Sequence, residues 1–127
     1  MRYLLDTHVW LWMLMDSPRL GPITRERLSS TDAQRVVSAV SYAEVAIKHA
    51  LGKLPLPCSV ERLRSLGQFE LANFDVDSAL QLAYLPNIHK DPFDRMLVAQ
   101  AKSAGMVLVS ADDKVRQYSA NTLDPTH

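Results

Sequence analysis

The sequence predicts an α/β fold built on a central parallel sheet of four or five strands, and three observations predict it. Short runs rich in valine and leucine alternate with helical stretches along the whole chain. Proline, glycine and capping side chains mark most helix ends, and no repeat, low-complexity tract or long linker breaks the alternation. Parallel strands need crossover connections, which the intervening helices supply.

Arg2 to Leu5 reads as a short buried strand, and Asp6 and Thr7 then cap a helix carrying Val9, Trp10, Trp12, Met13 and Leu14. Pro18 and the Gly21-Pro22 pair end it. Ile23 to Ser30 suits a second helix, and the valine-rich Arg35 to Ala39 a second strand. In SYAEVAIKHALGK, Ala43, Val45, Ala46, Ala50 and Leu51 favour a helix with Glu44 in its first turn, and Gly52 stops it. The two prolines of LPLPCS demand a loop, which leads into a helix around Val60 to Leu66. A third strand is expected from Phe69 to Phe74 and a helix from Asp75 to Leu85, with a polar loop, NIHK, after Pro86. DPFDRMLVAQAKSAG has proline at its first helical turn and Gly105 at its end, so both helix ends are signposted. Met106 to Val109 is a fourth strand and Ala111 to Tyr118 a final helix. The residues that follow, SANTLDPTH, favour a strand weakly, so a fifth strand is short or absent.

At 127 residues and 47% hydrophobic, the chain has enough apolar side chains for one core, burying roughly two thirds of its unfolded surface. Its 14 basic and 14 acidic residues cancel, which excludes a global positive field for nucleic acid. Any such binding is local. Cys58 is the only cysteine, so an internal disulfide and a thiolate zinc cluster are excluded. The apolar run VWLWMLM is far shorter than the roughly 18 residues of a spanning helix, and Asp6 and His8 interrupt any leader-like stretch. A cytoplasmic protein without membrane contact is the expectation.

In parallel sheets, ligands collect beyond the carboxyl ends of the strands where chain order reverses. Asp6 follows the first strand, Glu44 lies a helical turn after the second, Asp94 opens the long C-terminal helix, and Asp112 follows the fourth strand. All four fall on that edge. Each has a plainer reading, because helix N-termini welcome carboxylates. Ser41 with Glu44 matches a capping box, Asp91 an N-cap with Asp94 at the third helical position, and Ser110 with Asp113 another pair. Together, however, four converging carboxylates repel one another and would take up protons unless a cation compensates. An oxygen-only donor set points to a hard ion, Mg²⁺ or Mn²⁺, rather than zinc. One or two such ions held by Asp6, Glu44, Asp94 and Asp112 would support hydrolysis of a phosphodiester.

Thr7, Ser110, Asp91, Asp113 and Arg95 stand where they could support these ligands from behind, although hydroxyls at helix starts commonly serve only as caps. Arg95, Lys48 and Lys90 are basic residues beside the acids and candidates for substrate phosphate, with Arg95 the foremost; ion pairing is the plainer reading for all three. His8, His49 and His89 share no ligand-like spacing, so core packing or exposure is the expectation for each. Trp10, Trp12 and Met13 are expected in the core.

The motifs LLDTH, SYAEVAIKHALGKLPLP and HKDPFDRMLVAQAKSAGMVLVSAD together resemble the PIN domain of VapC-type toxins over nearly the whole chain, the DPFDRMLVAQA block being the most specific. The resemblance implies a single domain over residues 1–127 with a three-layer α/β/α architecture. It places the family's conserved acids on Asp6, Glu44, Asp94 and Asp112, and prefers Asp112 to the adjacent Asp113. It implies an endoribonuclease needing Mg²⁺ or Mn²⁺, a homodimer, and neutralisation by a cognate VapB-like antitoxin.

Two other readings compete. A receiver-like signalling domain also binds Mg²⁺ at strand ends, but needs two adjacent acids after the first strand, and Asp6 stands alone. A catalytically silent PIN fold that only binds RNA or protein is the other.

Overall fold

In a computed structural model, the chain is described over residues 1–118 and 120–127. The strands are β1 (Arg2–Leu5), β2 (Gln34–Ser38), β3 (Glu70–Ala72), β4 (Val107–Val109) and β5 (Thr122–Leu123). They form one sheet in the order β3-β2-β1-β4-β5, every neighbouring pair parallel. From β1 the chain adds strands on one side, then returns to add β4 and β5 on the other. The order reverses between β1 and β4, where Leu5 is level with Val109. Receiver-like domains have the order 2-1-3-4-5, so the topology rejects that reading.

The helices are α1 (Thr7–Leu14), α2 (Pro22–Ser29), α3 (Ala39–Ala50), α4 (Val76–Gln81), α5 (Pro92–Ala104) and α6 (Asp113–Arg116). Two cores sandwich the sheet, following the two-residue alternation of its strands. Leu4, Val36 and Leu108 face one core with Leu97, Val98 and Ala101 of α5. Tyr3, Leu5, Val37 and Val109 face the other with Val9 and Trp10 of α1 and Leu28 of α2. The result is the expected three-layer α/β/α arrangement. Trp10 is fully buried, whereas Trp12 and Met13 pack only at the margin of that second core.

Several boundaries differ from expectation. The second strand ends at Ser38, and Ala39 is already helical because the Ser38 hydroxyl caps α3 by accepting from the Val40 N–H at 3.0 Å. Val60–Ser65 forms a 3₁₀ helix, and the expected helix from Asp75 breaks into α4 and a 3₁₀ turn at Leu82–Tyr84. The third strand keeps only three residues and the last helix a single turn. The fifth strand exists, two residues long, paired to β4. α5 runs as read, with Pro92 at its start and Gly105 in the left-handed conformation (φ 68°) at its end.

Candidate active site

Asp6 stands where β1 stops. Its N–H continues the sheet to Val109 O at 3.0 Å, and its side chain turns back to cap α1, accepting from the Val9 N–H at 2.9 Å. The carboxylate is nearly sealed from solvent. Burial pushes its pKa up, against the downward pull of the Ser110 hydroxyl, the Val9 N–H and the His8 charge, and the Glu44 charge adds to the rise.

Glu44 is the acid for which the capping explanation fails. Because α3 starts at Ala39, Glu44 lies in the second turn, beyond the reach of unpaired N–H groups. The expected Ser41–Glu44 capping box does not form. Both residues are buried and meet Thr7 of α1 instead: Thr7 Oγ1 is 2.6 Å from Glu44 Oε1 and 3.1 Å from Ser41 Oγ. The second Glu44 oxygen pairs with Lys48 Nζ one turn on, which raises the lysine pKa. Asp91 and Asp94 add to that rise, so Lys48 lies within the field of the same acids.

Asp91 caps α5 as expected, accepting from the Phe93 N–H at 2.9 Å, and Asp94 lies in the first turn behind it. The Asp94 pKa is raised to about 7, first by burial, then by the Asp91 charge; His89 lowers it, and Asp6 and Glu44 raise it further. Acids from α1, α3 and α5 thus share one electrostatic environment.

Asp112 caps α6 by accepting from the Lys114 N–H at 2.8 Å, and its other oxygen meets His89 Nε2 at 2.8 Å. Burial pushes its pKa up, but the His89 hydrogen bond and backbone N–H groups outweigh it, leaving the carboxyl below the usual range. Asp113 is exposed and pairs with Arg116, whose Nη2 also lies 3.5 Å from Asp124 Oδ2. The Ser110–Asp113 capping pair is replaced by a turn in which Ser110 Oγ accepts from the Asp112 N–H at 3.2 Å.

His89 is the residue that sequence reasoning missed. It lies between Asp94 and Asp112, and one ligand atom from each of the three falls within 4.8 Å of the others. Asp6 and Glu44 contribute charge to Asp94 without joining that tight group. The only local signal is the position of His89 just before the DPFD block, and its contact with Asp112 spans 23 residues. His8 and His49 are exposed, in line with expectation.

Arg95 does not stand free for phosphate. Its Nη1 donates to Pro86 O and to Tyr118 Oη, each at 3.1 Å, tying down the loop that carries His89. Lys90 is exposed, and Lys48 is partly exposed beside Glu44.

The residues present suit a hard divalent ion. Carboxylates dominate the donor set, and burial with the neighbouring Asp91 charge raises the Asp94 pKa to about 7.

The PIN domain family matches residues 3–121. Among solved structures, VapBC-1 from nontypeable Haemophilus influenzae superposes with a TM-score of 0.76 at 23% identity, covering 100% of both chains. VapBC2 from Rickettsia felis, solved bound to a promoter DNA fragment, gives 0.71 at 16% identity over 98% of this chain and 100% of that one. A toxin–antitoxin complex from Klebsiella pneumoniae gives 0.65 at 19% identity over 97% of each. No curated protein matches the chain by sequence.

Proposed function

This chain belongs to the PIN domain family, and from that premise we propose that it is a Mg²⁺- or Mn²⁺-dependent endoribonuclease, the toxin of a VapBC-like pair. The observation that carries the proposal is Glu44: a carboxylate buried in the second turn of α3, capping nothing, in the same electrostatic field as Asp6 and Asp94. Burying a carboxylate costs stability, which the Thr7 and Lys48 contacts offset while fixing both of its oxygens.

Asp6, Glu44, Asp94 and Asp112 would hold one or two ions at the β1/β4 reversal. When bound there, the ion supplies Lewis acidity and an activated water for in-line attack on an RNA phosphodiester. The chain does the rest by positioning. Thr7 holds one oxygen of Glu44 and Lys48 the other; Ser110 supports Asp6; Asp91 fixes the start of the helix carrying Asp94. Lys90, which is exposed, and Lys48, once an ion takes over Glu44, are proposed to meet phosphate.

We take residues 1–127 as one such domain, acting in the cytoplasm; among the described residues no helix is long and apolar enough to cross a membrane. A VapB-like antitoxin as partner is supported by the similarity to toxin–antitoxin complexes. A homodimer remains part of the proposal on the family resemblance. The test is incubation of purified, antitoxin-free protein with a mixed RNA pool in Mg²⁺, Mn²⁺ or EDTA, beside Asp6→Ala. Metal-dependent cleavage lost in the variant is expected, and cleavage that persists in EDTA rejects the reading.

A further inference from the structure

We propose that His89 is a positioning residue, its ring proton held on Nε2, which braces the Asp94 and Asp112 carboxylates without itself coordinating the ion; this rests on the metal reading above. The backbone N–H of Asp91 lies 3.0 Å from His89 Nδ1. A peptide N–H only donates, so Nδ1 presents its lone pair and the ring proton resides on Nε2. Nε2 lies 2.8 Å from Oδ2 of Asp112 and 3.2 Å from Oδ2 of Asp94. The Nε2–H therefore lies within reach of both acids, and an ionised carboxylate can only accept it.

Coordination through Nε2 would require that proton to move to Nδ1. There it would face the Asp91 N–H, donor against donor, at hydrogen-bonding distance. Asp91 cannot easily turn away, because its side chain caps α5 and its carbonyl accepts from the Arg95 N–H at 3.1 Å.

The loop is fixed from the far side as well. The His89 N–H donates to Tyr118 Oη at 2.9 Å, and the same buried hydroxyl accepts from Arg95 Nη1. Arg95 and Tyr118 therefore act through His89, which places the two acids before any ion arrives. That role suits an N–H donor and needs no lone pair aimed at the ion.

The test is long-range ¹H–¹⁵N NMR on protein labelled at histidine nitrogens, metal-free and saturated with Mg²⁺, the His89 signals being assigned by their loss in His89→Gln. The Nε2–H tautomer is expected in both states. An Nδ1–H tautomer in the metal-free protein, or a shift to it when Mg²⁺ is added, overturns the proposal. Calorimetric Mg²⁺ titration supplies a second readout: His89→Ala is expected to weaken binding by about 10–100-fold, while His89→Gln, which keeps an amide donor, stays within roughly threefold of wild type. Unchanged affinity in His89→Ala, or equal losses in both variants, also overturns it. Wild-type protein that binds no Mg²⁺ would instead sink the metal reading, whereas the metal-free spectrum judges the tautomer lock by itself.

Discussion

Thr7 and Glu44, 37 positions apart, share a 2.6 Å hydrogen bond that ties the first turn of α1 to the second turn of α3 directly beside the acidic cluster. Both side chains are buried, so the contact cannot be replaced by bulk water. Thr7→Val keeps the shape and removes the donor, leaving a carboxylate oxygen without it. A loss of about 1–3 kcal/mol is expected in chemical denaturation, and Thr7→Ser should recover most of it.

Asp94 links stability to pH. Its folded-state pKa, about 7, lies above the ordinary 3.8, so the folded form binds more protons than the unfolded one between these values. Its contribution is most favourable below pH 3.8 and is lost as pH rises towards 7. Metal-free protein should melt at a lower temperature at pH 8 than at pH 5.5, and Asp94→Asn should flatten that dependence. The same variant should lose the thermal upshift produced by Mg²⁺. A metal-free melting profile identical in wild type and variant across this range would contradict the assignment.

The adjacent aspartates divide sharply. Asp112→Asn keeps an N-capping side chain for α6 but removes the charge beside His89, and RNA cleavage should fall by at least roughly 100-fold with the fold intact by circular dichroism. Asp113→Ala breaks only an exposed pair with Arg116. It should cost less than about 1 kcal/mol and leave cleavage unchanged.

Gly21, at the start of α2, tests how the end of the described chain is held. The Gly21 N–H donates to Pro125 O at 2.8 Å, and His127 O accepts from the N–H groups of Ile23 and Thr24 at the start of α2. A Cβ on Gly21 would sit 2.2 Å from the His127 carbonyl carbon. Gly21→Ala should therefore detach residues 124–127 from α2, lower stability by about 1–3 kcal/mol and open that segment to limited proteolysis.

Much of this protein is decided locally and is legible in its residues. Alternating valine-rich strands and capped helices determine an α/β class, Pro92 and Gly105 bound α5, and Asp6, Glu44, Asp94 and Asp112 fall on the carboxyl edge of a parallel sheet as soon as the strands are placed. What only the tertiary structure decided lies in contacts between distant segments. Ser38 rather than Ser41 caps α3, which moves Glu44 from the first turn to the second and removes its capping role. His89 gains its place between Asp94 and Asp112 through a bond to Tyr118 29 residues away, and Arg95 turns from phosphate to loop. β5 is two residues that become a strand only by pairing with β4. Capping and periodicity are short-range effects of a few residues along one chain segment; the direction a buried polar side chain takes is set by whichever donors the sheet register and the helix packing bring to it.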